Sequence, residues 1–103
     1  MYLFNTTYVV DEGSFGQWSQ WIQEVYLPNM LDAAPQAQND IYELEKTAQT
    51  AGSRTFSCQW RCPSIEALGD VMRCSAALNE LMAGKYGEKC LYFNTMMKKA
   101  VLL

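Results

Sequence analysis

Any chemistry this chain performs has to be done without an imidazole, because none of its 103 residues is histidine. Ser-His-Asp and Cys-His nucleophile activation, His-ligated haem and His-containing zinc sites all need that ring. What remains are carboxylates, phenols, thiols and uncharged hydroxyls and amides. Glu43 and Glu45 stand two apart, so on a strand they share a face about 7 Å apart, a spacing suited to an acid–base pair but commoner on a solvated edge. Cys58 and Cys62 are four apart, about 13 Å end to end on a strand and beyond disulfide reach. Cys74 and Cys90 show no zinc spacing, so reduced thiols, no metal and no cofactor are expected. The remaining candidates are the uncharged donors and acceptors Asn5, Thr7, Thr55, Ser57 and Gln59, which recur at every second position of two segments.

Those segments, Met1 to Val10 and Thr55 to Arg61, alternate with period two, whereas Ser14 to Leu31 and Ser64 to Tyr86 repeat at helical spacing. Shorter strand-like runs cover Ile41 to Ala48 and Cys90 to Met97. The order is β-α-β-β-α-β, and it predicts an α+β, ferredoxin-like unit with a four-stranded antiparallel sheet. Right-handed crossovers put both helices on one face, so the other face meets solvent, a ligand or a second subunit. Phe4, Thr6, Tyr8 and Val10 are predicted to face the helices together with Phe56, Cys58 and Trp60. Asn5, Thr7, Thr55, Ser57 and Gln59 then lie on the opposite face. In the run from Ile41, Tyr42 and Leu44 are assigned to the helix side and Glu43 and Glu45 to the open side.

The helix boundaries follow from local signals. Ser14 with Gln17 matches a capping box, and Trp18, Trp21, Ile22 and Val25 form one apolar stripe. Pro28 is expected to break or kink the first helix near Tyr26, since it lacks an amide proton and crowds the preceding turn. Ser64 caps the second helix and Gly87 closes it. Ile65, Leu68 and Met72 occupy one stripe while Leu78, Leu81 and Met82 fall elsewhere at 100° per residue, which predicts a bend or restart near Cys74 and Ser75.

Composition sets the outer bounds. A chain of 103 residues, half of them apolar, forms one domain over 1–103, large enough to bury a core without staples. No basic leader precedes an apolar run, and no apolar stretch reaches the ~18 residues of a membrane span, so a cytoplasmic protein with no membrane partner is expected. A net charge of -3 without a basic cluster argues against nucleic acid. Residues 1–50 carry seven acids and one base and the rest four acids and seven bases, an asymmetry compatible with self-association. The apolar ending Ala100, Val101, Leu102 and Leu103 suits docking on a partner.

Tyr2-Leu3-Phe4-Asn5-Thr6-Thr7, the Trp18 and Trp21 pair, Leu27-Pro28, Thr55-Phe56-Ser57-Cys58-Gln59-Trp60, Tyr86-Gly87-Glu88-Lys89 and Phe93-Asn94-Thr95 together resemble a small uncharacterised bacterial family. The resemblance covers nearly the whole chain. It implies the dimeric α+β barrel form of the ferredoxin-like fold, in which the open faces of two sheets meet. Similar members often carry His-Ile-Pro where this chain has Tyr26-Leu27-Pro28. The resemblance thus implies a homodimer whose interior is lined by Asn5, Thr7, Thr55, Ser57 and Gln59, with Glu43 and Glu45 approaching Lys98 and Lys99 of the second copy. Two functions fit. One is a binding or structural module for a small apolar or aromatic molecule. The alternative is a small enzyme of the cofactor-independent monooxygenase type acting on an apolar or aromatic substrate, with Asn5, Thr7, Ser57 and Gln59 orienting it, Tyr26 beside the pocket as proton donor and no catalytic residue otherwise assigned.

Overall fold

The computed structural model describes residues 1–45 and 51–102. β1 (Tyr2–Asp11) leads through a 3-10 turn, Glu12–Ser14, into α1 (Phe15–Trp21), a π turn (Ile22–Tyr26) and α2 (Leu27–Ala33). β2 (Gln38–Glu43), β3 (Ser53–Cys62), α3 (Ile65–Tyr86), a second 3-10 turn (Gly87–Lys89) and β4 (Cys90–Lys98) complete the order. The strands form one antiparallel sheet in the spatial order β2-β3-β1-β4. This is the ferredoxin-like arrangement, produced by two interleaved crossovers of the same hand.

The two long central strands bury one set of alternate side chains. Phe4, Thr6, Tyr8 and Val10 of β1 and Phe56, Cys58, Trp60 and Cys62 of β3 are all buried. They pack against Trp18, Trp21, Ile22, Tyr26 and Met30 from the first helical segment and Leu68, Val71, Leu78 and Met82 from α3. Aromatic edges and faces fill the layer, with Trp18 and Phe56 ring centres 4.8 Å apart and Tyr8 and Trp18 5.3 Å apart.

Four local expectations are corrected. Ser14 makes no side-chain cap; instead the Gly13 amide donates to the Asp11 carboxylate at 3.1 Å and the chain enters the helix through a 3-10 turn. Pro28 does not break the first helix, and the distortion expected near Tyr26 takes the form of a π turn. The ladder widens into the π turn just before it, with the Leu27 amide donating to the Ile22 carbonyl, and the helix continues to Ala33. The wider turn accommodates the missing amide and the bulk of the proline ring, and the Asn29 side-chain amide satisfies the Val25 carbonyl at 2.7 Å.

α3 is one continuous helix through Cys74 and Ser75, with no restart there. Its buried face is Leu68, Val71, Ser75, Leu78, Asn79 and Met82, a single stripe whose middle is polar, while Leu81 and Ile65 point to solvent. The stripe looked interrupted only because two of its members are not apolar. Ser64 caps the helix through its hydroxyl, which accepts from the Ala67 amide at 3.1 Å, and Gly87 ends it at φ 57°, where L side chains are strained.

β2 begins three residues earlier than expected, and the Lys46–Ala48 part of the expected strand lies outside the described residues. Its phase is also opposite. Ile41 pairs with Cys58 and Glu43 with Phe56 on the helix side, whereas Tyr42 pairs with Ser57 on the open side. On that side the Arg54 guanidinium holds the Glu43 carboxylate through two 2.8 Å hydrogen bonds and covers the Phe15 ring at 3.6 Å. Glu43 is thus engaged within its own chain, and it is not on the same face as the open-side residues.

Candidate functional site

Strand pairing sets the open face of the sheet. Asn5 lies opposite Gln59 and Thr95, Thr7 opposite Ser57 and Phe93, and Val9 opposite Thr55 and Leu91. Five of the six sequence candidates, Asn5, Thr7, Thr55, Ser57 and Gln59, therefore share this face. Four of them are joined. The Gln59 side-chain amide donates to the Ser57 hydroxyl at 3.2 Å, Ser57 donates to the Asn5 carbonyl oxygen at 2.5 Å, and the Asn5 amide donates to the Thr7 hydroxyl oxygen at 3.0 Å. Thr55 stands beyond the end of this row, half-buried.

The outer strands frame that polar row with apolar groups absent from the candidate set. Leu91, Phe93 and Met97 of β4 and Tyr42 of β2 face the same way and are 54, 57, 41 and 56 % exposed. Both faces of β4 carry large apolar residues, so its composition did not distinguish its sides; only its register with β1 does. At the end of the face, Arg61 forms an ion pair with Asp40 and donates to Gln38 at 3.0 Å. A hollow of about 290 Å³ opens there beside Leu3, Arg61 and Met97. Among the described residues no cluster of His, Cys, Asp or Glu is placed to hold a metal ion, and no helix is long and apolar enough to cross a membrane.

Tyr26 is not part of this face. It projects from the π turn into the layer between helices and sheet, fully buried, where its hydroxyl accepts from the Trp60 indole N–H at 3.0 Å and lies 3.7 Å from the Cys58 thiol. Helical periodicity placed Tyr26 one position after Val25 of the core stripe, and the wider turn rotates it fully inward. Beside it the Tyr8 hydroxyl donates to Asn79 at 2.6 Å, and the Asn79 amide donates to Ser75 at 3.0 Å. These two polar chains satisfy Tyr8, Tyr26, Ser75 and Asn79, whereas among the described residues the Trp18 indole N–H and the Tyr86 hydroxyl are buried without a partner.

Burial pushes both phenols well above the ordinary tyrosine range, reinforced for Tyr8 by the nearby Tyr26 and Cys58 and for Tyr26 by Cys58. It raises the Cys58 thiol as well, and it pushes Cys90 up to about 12. Groups whose folded pKa exceeds the unfolded one stabilise the fold fully below the unfolded value, and that contribution is lost as pH rises past it. Stability is therefore expected to decline from about pH 8.5, where unfolded thiols ionise, and more steeply above about pH 10, where unfolded phenols follow. Each group adds a slope of roughly 1.4 kcal/mol per pH unit. Urea titrations between pH 7 and 11 measure this, with Tyr8→Phe and Tyr26→Phe flattening the limb above pH 10.

The fold has close relatives in shape. The chain is similar to the de novo designed protein Foldit4, with a TM-score of 0.67 and 10 % identity over 96 % of this chain and 98 % of that one. It is similar to HapK from Hahella chejuensis, with a TM-score of 0.62 and 13 % identity over 97 % and 93 %. It also matches the designed protein LFR1 1 with ferredoxin fold, with a TM-score of 0.59 and 10 % identity over 98 % and 88 %. At such identities these likenesses show the fold alone. No curated protein matches the chain. A family model spans residues 1–100, nearly every strand and helix described above, and by it the chain belongs to the family described as a domain of unknown function, DUF4286.

Proposed function

We propose that the chain is a homodimeric module whose two sheets face each other and enclose a pocket for a small apolar or aromatic molecule. The observation that carries this reading is the makeup of the open face: an uncharged, hydrogen-bonded polar row framed by Leu91, Phe93, Met97 and Tyr42. Exposed apolar groups of this size gathered on one face favour a covering partner. Arg61 and Asp40 neutralise each other, and Lys99 stands at the rim beside the hollow rather than in the polar row.

The dimensions are adequate. Four strands about 4.8 Å apart, each rising about 3.3 Å per residue, give a face of roughly 19 by 30 Å, or nearly 600 Å². Two such faces bury about 1,200 Å², the lower edge of stable, specific interfaces. An interior of donors and acceptors beside aromatic and aliphatic groups is the usual lining of a small-molecule pocket. The small-enzyme alternative has less support, because the phenol it used as proton donor is on the other side of the sheet.

Sedimentation at micromolar concentration, paired with native mass spectrometry of gently purified protein, tests the reading. A dimer with a reproducible extra mass supports it and names the molecule. A monomer removes the enclosed pocket.

A further inference from the structure

The polar row on the open face has a direction. Gln59 donates to Ser57, Ser57 spends its one proton on Asn5, and Asn5 donates to the Thr7 oxygen. Every donor points the same way, so the chain of bonds ends on the Thr7 hydroxyl, whose proton has no acceptor among the described residues. Bonds linked in series polarise one another, which makes the terminal hydroxyl a strengthened donor. That hydroxyl sits directly across from Phe93, whose ring is the largest exposed apolar group on β4. Among the described residues the charged pair on this face, Asp40 opposite Gln59 and Arg61 beside it, lies at the other end of the row and is bound to itself.

We infer that the pocket takes a neutral molecule with a carbonyl-type oxygen that accepts from the Thr7 hydroxyl and an apolar or aromatic body that lies on Phe93. This rests on the sheet-to-sheet dimer proposed above. A carbonyl oxygen is the strong neutral acceptor that matches the hydroxyl donor at the end of the row. A carboxylate or ammonium would have to shed its hydration without a counter-charge, which disfavours charged ligands in an enclosed face.

The test uses two dyes that differ by the propionyl group that carries the acceptor, 6-propionyl-2-(dimethylamino)naphthalene and 2-(dimethylamino)naphthalene, titrated into the 103-residue protein whose dimeric state has been confirmed by sedimentation. Thr7→Val is expected to weaken the carbonyl dye about three- to tenfold, the range of one net hydrogen bond, and to leave the parent dye unchanged. Thr7→Ser, which retains the hydroxyl, is expected to bind both dyes like the unsubstituted protein. A dimer that binds neither dye, or whose carbonyl dye is insensitive to Thr7→Val, overturns the ligand assignment while the dimer stands. Equal weakening of both dyes in Thr7→Val overturns it too, because the side chain then acts by packing. A monomeric protein fails at the earlier step and brings down the dimer reading itself.

Discussion

Trp60→Ala is expected to remove about 3–5 kcal/mol of folding stability. Trp60 is fully buried in the central strand β3 and its ring meets that of Tyr26 at 6.3 Å. Truncation opens a cavity the width of an indole between two rigid layers, which cannot collapse to fill it. It also withdraws the N–H that the Tyr26 hydroxyl accepts from at 3.0 Å, leaving that hydroxyl with the neighbouring Tyr8 and the 3.7 Å thiol contact with Cys58. Against a total of about 5–15 kcal/mol for a domain of this size, that loss is a large fraction. The thermal midpoint is expected to fall by roughly 15–30 °C. Urea denaturation with Trp60→Phe separates the two causes. Phenylalanine keeps most of the volume but has no donor, so its cost of about 1–2 kcal/mol reports the hydrogen bond. In the Tyr26→Phe background that part of the cost is expected to shrink, since the acceptor is already gone.

The same core shows where physical reasoning from sequence succeeds and where it runs out. β1 and β3 were legible because each is buried on one face only, so alternation in the chain maps onto alternation in space. α3 misled because Ser75 and Asn79 occupy core positions. Their polarity is acceptable only because Tyr8, 71 residues from Asn79, supplies the matching hydroxyl, and such a pairing has no local signature. The phase of β2 was reversed for a similar reason. At an edge strand neither face is deeply buried, so Tyr42 and Glu43 carry little information about orientation. The ion pair between Glu43 and Arg54, a contact made with the neighbouring strand, goes with the observed orientation and has no signature in the β2 segment itself. The helix through Pro28 depended on a π turn, which propensity rules do not anticipate.

The candidate site divides along the same line. Asn5, Thr7, Thr55, Ser57 and Gln59 were placed together because they belong to the two well-phased strands. Tyr26 was assigned to them through the implied pocket and lies in the other layer. Phe93 and its apolar neighbours were missed because β4 is apolar on both sides, and only pairing with β1 shows that Phe93 stands beside Thr7.

That position gives Phe93→Asp the largest expected effect on assembly. Phe93 is more than half exposed in the single subunit, so a carboxylate there leaves the subunit core intact and far-UV circular dichroism is expected to stay unchanged. In a sheet-to-sheet dimer the substitution acts twice, once from each copy. Each carboxylate must be desolvated among apolar groups, at several kcal/mol per uncompensated charge. Dissociation is therefore expected to strengthen by at least about a thousandfold, giving a monomer at micromolar concentration by sedimentation. Leu81→Asp supplies the contrast. Leu81 is 69 % exposed on α3, in the layer that covers the opposite face of the sheet, and replacing it is expected to leave the dimer intact. The reverse pattern, a dimer surviving Phe93→Asp and lost in Leu81→Asp, would place the interface on the helices. The sheet face would then be an open surface, and Asn5, Ser57 and Gln59 would be solvated partners of one another rather than the lining of a pocket.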